Sequence, residues 1–348
     1  MPFTYLGLPL GTTKPSVQDF SPLLNRIERK MSGFSRLLSY DGRLILVNAI
    51  LSALPTFYMC SLKIPPQVVR QIDLYRKHCL WSKGDINRKG SRLVAWETTC
   101  KPKNHGGLDI IDIEKQNDAL LMKHLNSFYN HHDLPWVNLT WSKLYSNSQT
   151  PPQARCPVGS FWWKDLLKLF TPLKNLIKCD PSRGNTDLFW SGSWSPLPLK
   201  EKYPHLFSFS KKPKCSIRYF LDNELEANFS LPLSSQATEQ LAMLLETELD
   251  RPWDESTTDI WSYSSGNATF SSKATYKFLI GVTKASPLFS WVWKSSNPRK
   301  HKFFFYFLLR DRLNTTNLLR RKHMHLDDYS YVLCNTGCEE TSFHLFFE

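Results

Sequence analysis

Prolines cut this chain into short pieces. There are 22 of them against 14 glycines. Each fixes φ and removes a backbone donor, so neither a long helix nor a central strand runs through one. Between them apolar residues recur at helical spacing. Ser21-Pro22 marks an N-cap and first turn, followed by Leu24, Ile27 and Met31. A second helix is expected near Asp41, with Leu44, Val47, Leu51 and Leu54 on one face and Pro55 ending it. A third begins at Pro65-Pro66 and carries Val68, Ile72, Tyr75 and Cys79 on its stripe. Arg70, Arg76 and Lys77 are expected elsewhere on that helix, turned to solvent or a phosphate backbone.

Gly106-Gly107 reads as a boundary. Beyond it, residues 112–130 look helical, with Leu120, Leu121, Leu125 and Phe128 inward. Residues 131–160 are loop-rich, and Thr150-Pro151-Pro152 is a linker signal. Aromatic blocks then recur: Phe161-Trp162-Trp163, Phe189-Trp190, Trp194, Trp253 and Trp261. An antiparallel hairpin is expected from Trp261-Ser262-Tyr263 to Phe270, turning at Gly266-Asn267. In the last region Phe303 to Leu309 form an apolar run, and Thr315 can cap a further helix. With 41% hydrophobic and 14% aromatic residues, packed cores are expected rather than disorder. The expected class is mainly α: a helical bundle over 1–105, a mixed α/β aromatic-rich region over 106–285, and a small helical unit over 286–348.

Charge follows the same division. The net charge is +13, but residues 1–105 hold 16 Lys/Arg against 6 Asp/Glu and residues 296–325 hold 8 against 1. Two basic regions flanking a neutral middle favour a polyanion, most often nucleic acid. The candidate phosphate contacts are Arg36, Arg43, Arg70, Arg76 and Lys77 in the first region, and Arg299, Lys300, Lys302, Arg310, Arg312, Arg320, Arg321 and Lys322 in the last. The eight cysteines are scattered, which points to reduced thiols and an intracellular chain, nuclear or cytoplasmic, rather than a secreted one. No apolar run approaches the ~18–20 residues that cross a bilayer, so no membrane partner is expected.

The sequence lacks the common catalytic constellations. There is no Gly-x-Ser-x-Gly, no phosphate-binding Gly-rich loop, and one Asp-Asp pair, Asp327-Asp328, in a context that reads as a solvated loop. His78-Cys79 are adjacent on a helix and point apart, so Cys79 reads as core. His131-His132-Asp133 reads as surface. The tail is different: Cys334, Cys338 and His344 fall close together and are candidate metal ligands. A Cys-x2-Cys … His-x4-Cys zinc box would want cysteines at positions 331 and 349. Tyr331 stands at the first, and the sequence stops at Glu348. A structural zinc takes four ligands, so zinc is the cofactor implied and its site is incomplete.

Several blocks resemble a known family. Tyr5-Leu6-Gly7-Leu8-Pro9-Leu10-Gly11 is similar to the segment just after the palm in plant LINE-type (non-LTR) retrotransposon reverse transcriptases. Leu38-Ser39-Tyr40-Asp41-Gly42-Arg43, Leu51-Ser52-Ala53-Leu54-Pro55, Cys79-Leu80-Trp81, Ala95-Trp96-Glu97 and Gly106-Gly107-Leu108 resemble later blocks in the same order. Trp291-Val292-Trp293-Lys294 through Glu340-Thr341-Ser342-Phe343-His344-Leu345-Phe346-Phe347 resembles the family's zinc-binding domain. The resemblance implies a thumb-like first region gripping a template–primer duplex and a truncated zinc-binding domain at the end. Asp109 stands where the family commonly has Gly, and Tyr331 where it usually has Cys. The family's catalytic Tyr/Phe-x-Asp-Asp hairpin lies upstream of the part that matches, so the expectation is a non-catalytic fragment binding RNA or DNA. The alternative is a structural or protein-interaction remnant working through the aromatic middle.

Overall fold

Serine and threonine side chains start the helices. Ser39, Ser160, Ser216, Ser234 and Thr315 each accept a hydrogen bond from the backbone N–H three residues on, satisfying a donor that the first turn leaves open. A computed structural model describes residues 3–34, 37–82, 93–145, 151–152, 159–254, 256–263, 269–281, 284–333 and 337–347. The fold is mainly α, with two small antiparallel pairs of strands among the described residues, Phe3–Tyr5 with Leu8–Leu10 and Ile177–Asp180 with Ile260–Tyr263. Among them no helix is long and apolar enough to cross a membrane.

Two units interleave along the chain. The first comprises Met1–Pro15, Tyr58–Lys63 and Lys115–Leu279; the second comprises Ser16–Phe57, Ile64–Glu114 and Ile280–Glu348.

In the second unit the helix Ser21–Phe34 packs on Pro66–Trp81. Ile27, Met31, Val68, Ile72, Tyr75 and Cys79 are buried, as their spacing predicts. Pro66 occupies the first turn, where a missing N–H costs nothing. The expected helix near Asp41 divides: Tyr40–Ile45 is α-helical, and Leu46–Leu51 is a π-helical turn. Leu44 in the α-helical part and Val47 and Leu51 in the wider turn are still buried. The last region shares this core. Arg299–Leu309 packs on Tyr40–Ile45, with the Tyr40 ring 5.3 Å from Phe307 and 6.2 Å from Phe303.

The first unit has two aromatic cores. One gathers Phe128, Tyr129, Trp163, Phe170 and Trp261 around the helix Ile113–Tyr129. The other gathers Phe189, Trp190, Phe220 and Phe229, with Phe189 and Phe220 stacked at 3.7 Å. Buried Asn117 donates to the carbonyls of Met59 and Leu62. Among the described residues, the strand at Trp261 does not pair with the segment reaching Phe270, contrary to what the sequence suggests. Ile260–Tyr263 pairs with Ile177–Asp180, and Phe270 stacks on the Tyr263 ring at 5.8 Å instead of lying in a strand. Gly266-Asn267 lie outside the described residues. The alternation seen in the sequence was real, but a strand's partner is set by long-range packing that local spacing does not carry. The loop-rich stretch after 130 also contains the helix Pro135–Thr140 and the π-helical turn Trp141–Tyr145.

Candidate nucleic-acid interface

The structure sorts the basic residues of the first region by burial. Arg76 is fully buried, 2.6 Å from Asp73, and donates to the Ile111 carbonyl at 2.5 Å. Its guanidinium lies 5.2 Å from the Trp96 ring. Arg43 is buried too, donating to the Leu80 carbonyl at 2.7 Å and lying 4.3 Å over Tyr40. Neither is placed to meet a phosphate, which corrects the outward expectation for both. The reason is geometric. Arg76 sits four residues after Ile72 and three before Cys79, so it falls on the buried stripe. Burial pushes the Asp73 carboxyl up, with Arg76 pulling the other way. Arg70 is exposed, and Lys77 is half-buried at 5.4 Å from the Trp96 ring. Arg36 lies outside the described residues.

The basic residues of the last region stay near the surface. Arg299, Lys300, Arg312, Arg320 and Arg321 are exposed; Lys302, Arg310 and Lys322 are half-buried. Several are engaged within the unit. Arg320 pairs with Glu339, and Arg321 with Asp311 at 2.6 Å. Arg312 donates to the Leu93 carbonyl at 2.7 Å, and Arg310 to the Gly106 carbonyl at 2.5 Å while lying 4.8 Å over Phe289. Gly106 has φ +79°, and a Cβ there would come within 2.3 Å of the Arg310 guanidinium. The boundary glycine is thus a docking point for the last region as well as a turn.

Three cations converge on one groove of the second unit. A cavity of about 410 Å³ is lined by Asp41, Asn48, Lys103, Trp293, Arg299 and Lys302, with aliphatic side chains of the Tyr40–Ile45 helix. Arg299 lies 3.2 Å from the Asp41 carboxylate. Lys302 donates to the Trp293 carbonyl at 3.2 Å, and the Lys103 ammonium is 5.3 Å from the Trp293 ring centre. Lys103 is also 3.9 Å from Asp109. The π-helical turn carries Asn48 to this groove; such turns recur at functional sites. Among the described residues, Asn48 Oδ1 and Trp293 Nε1 are buried without a hydrogen-bond partner. Three cations lining one groove suit an anionic ligand. Sequence reading found Arg299 and Lys302 but missed Lys103, Asn48 and Trp293 as a group. They come from three distant segments, and no local spacing links them.

The zinc-type donors lie at the end of the chain. Ser330 bridges to Glu339, the Tyr331 N–H donates to the Cys338 carbonyl at 2.9 Å, and the His344 ring stands edge-on to Tyr331 at 5.5 Å. Cys338 and His344 therefore flank Tyr331, while Cys334 lies outside the described residues. Among the described residues the groups gathered there, a thiol, an imidazole and a phenol, fall short of the four ligands of a tetrahedral zinc site. Among the described residues no group of three or more His, Cys, Asp and Glu is placed to hold a metal ion. Asp327 and Asp328 are exposed, and Asp328 accepts from the Ser330 N–H and hydroxyl.

Residues 270–348 match a family described as zinc-binding in reverse transcriptase. Over 350 aligned residues the chain is 23% identical to a putative ribonuclease H protein of Arabidopsis thaliana. The alignment covers 95% of this chain and 54% of that relative, so the chain spans about half the length of the curated protein it matches. The two findings together support a retroelement-derived protein whose final stretch is of the reverse-transcriptase zinc-binding type.

Proposed function

We propose that this chain binds the phosphate backbone of RNA or DNA, without base specificity, as a non-catalytic part of a LINE-type reverse transcriptase. The observation that carries this reading is the groove where Lys103, Arg299 and Lys302 surround Trp293. Ammonium and guanidinium groups neutralise phosphates, and the indole that lines the same groove gives a sugar or base an aromatic surface beside them. Zinc is the cofactor this reading implies for the C-terminal stretch, with Cys334, Cys338 and His344 as the donors available to it.

Counterion release supplies the test. The logarithm of the affinity for a short duplex is expected to fall linearly with the logarithm of salt concentration. The double variant Lys103→Glu/Lys302→Glu is expected to weaken binding and flatten that slope by about two units, since two phosphate contacts go. Binding that is insensitive to salt, or a slope that the double variant leaves unchanged, rules the reading out.

A further inference from the structure

The first unit holds a second cleft, of about 280 Å³, built by different chemistry. One wall ends a column of stacked rings. Phe128 and Trp141 stack at 4.5 Å and 2°, and His131 stacks on Trp141 at 4.4 Å and 20°. Trp141 is pinned by its own N–H, which donates to the Phe128 carbonyl at 3.0 Å. The His131 backbone is left-handed, with φ +48°, a conformation in which His is enriched but most side chains are strained. One face of its imidazole is covered by Trp141, and the cleft lies against what remains of the ring. Burial holds the imidazole below its usual basicity, helped by Arg183 and opposed by Asp259, so near neutral pH it presents a neutral aromatic ring.

The facing wall is a loop that a buried carboxylate holds open. Asp259 is 2% exposed. Its Oδ1 accepts from the N–H groups of Ser182 at 3.0 Å and Gly184 at 2.6 Å; its Oδ2 accepts from the Thr186 N–H at 2.9 Å and hydroxyl at 2.6 Å. Alternate residues of the loop are thus tied inward, and the two between them, Arg183 and Asn185, line the cleft. Gly184 has φ +79°, which this zigzag requires. With four donors on its two oxygens, Asp259 has no lone pair left over for a cation. The open charge of the lining is the guanidinium of Arg183.

We propose that this cleft binds one nucleotide: a planar base against the imidazole end of the stacked column, its phosphate on Arg183 and a polar base edge on Asn185. An aromatic ring end, a rigid guanidinium and an amide within one small cavity answer to a planar, anionic ligand with hydrogen-bonding edges. The site shares no residue with the basic groove of the second unit, so the two readings stand or fall separately. The nucleotide could be free or an unpaired member of a strand; both present the same base and phosphate.

The test uses the full chain. Adenosine 5′-monophosphate, ribose 5-phosphate and an unstructured tetranucleotide are titrated and followed by ligand-observed NMR. The nucleotide is expected to bind saturably and about tenfold more tightly than ribose 5-phosphate, which lacks the base. Arg183→Glu and His131→Asn are each expected to weaken it by about tenfold or more with an unchanged melting temperature; asparagine tolerates the left-handed backbone that alanine resists. Lys103→Glu/Lys302→Glu should leave it unchanged. Variant-sensitive binding of the mononucleotide alone identifies a free nucleotide as the ligand, and of the tetranucleotide alone an unpaired strand. Binding that both variants leave intact, binding no better than ribose 5-phosphate, or no saturable binding by either nucleotide probe overturns the proposal.

Discussion

Each unit contains a buried charged side chain, and the two are used differently. In the first, Asp259 gathers four donors from residues 182–186 and so dictates the path of one loop. In the second, Arg76 divides its guanidinium between Asp73 and the Ile111 carbonyl, and its Nε has no partner among the described residues. The carboxylate is a saturated local organiser. The guanidinium is a packed side chain whose long stem and flat head fill space beside Trp96. The lesson is that burial of a charge says little by itself; how completely its partners satisfy it decides how much structure depends on it.

The comparison breaks or holds on one pair of variants. Asp259→Ala strips four hydrogen bonds at once and leaves buried N–H groups unmet, so it is expected to cost about 3–5 kcal/mol. Arg76→Met keeps most of the packed volume, and the Asp73 carboxylate it abandons retains a partly exposed edge, so about 1–2 kcal/mol is expected. Denaturant unfolding, followed for each variant, measures both. Equal losses would erase the distinction between an organising charge and a packed one.

Much of the helical framework was legible in the sequence. Proline placement, capping residues and stripes such as Ile27–Met31 or Val68–Ile72–Cys79 predict elements that the fold contains. What local spacing could not show is where distant segments meet. The partner of Ile260–Tyr263 lies far upstream, and the groove around Trp293 draws on three separate segments. Arg76 is a different kind of miss. Its position on the stripe was readable, but its charge argued for the surface, and the apolar face of that helix proves wide enough to enclose it. His131 is similar: the sequence reads as a surface cluster, yet stacking on Trp141 turns its ring into part of a cleft.

A second acid in the first unit sharpens the contrast through pH. Asp187 is 1% exposed and accepts from the N–H groups of Leu188 and Ser193. Burial pushes its carboxyl up to about 7 from an ordinary 3.8, with those N–H groups and Lys174 pulling it back and Asp259 adding to the rise. The folded form therefore binds a proton that the unfolded form has released. Between about pH 4 and 7 stability is expected to fall as pH rises, by a few kcal/mol at most, and to level off above the folded value. Asp187→Asn should flatten that slope in a pH series of melting curves. An unchanged slope would assign the pH dependence to other groups.

The smallest effect separates two cations of the second unit. Arg320 faces Glu339 across an exposed ion pair, whereas Lys302 donates to the neutral carbonyl of Trp293 in the groove. An exposed pair contributes little to folding, so Arg320→Ala is expected to change stability by less than about 1 kcal/mol. Its effect on duplex binding should be small as well. A phosphate approaching Arg320 must compete with a carboxylate already there, and part of the counterion release is forfeited. Lys302→Ala should reduce the salt slope by about 0.9, the full contribution of one duplex phosphate contact. Arg320→Ala should reduce it by less. Reversing that order would mean that Glu339 yields to the nucleic acid, and that the helix Thr316–Arg321, rather than the groove, is the principal contact.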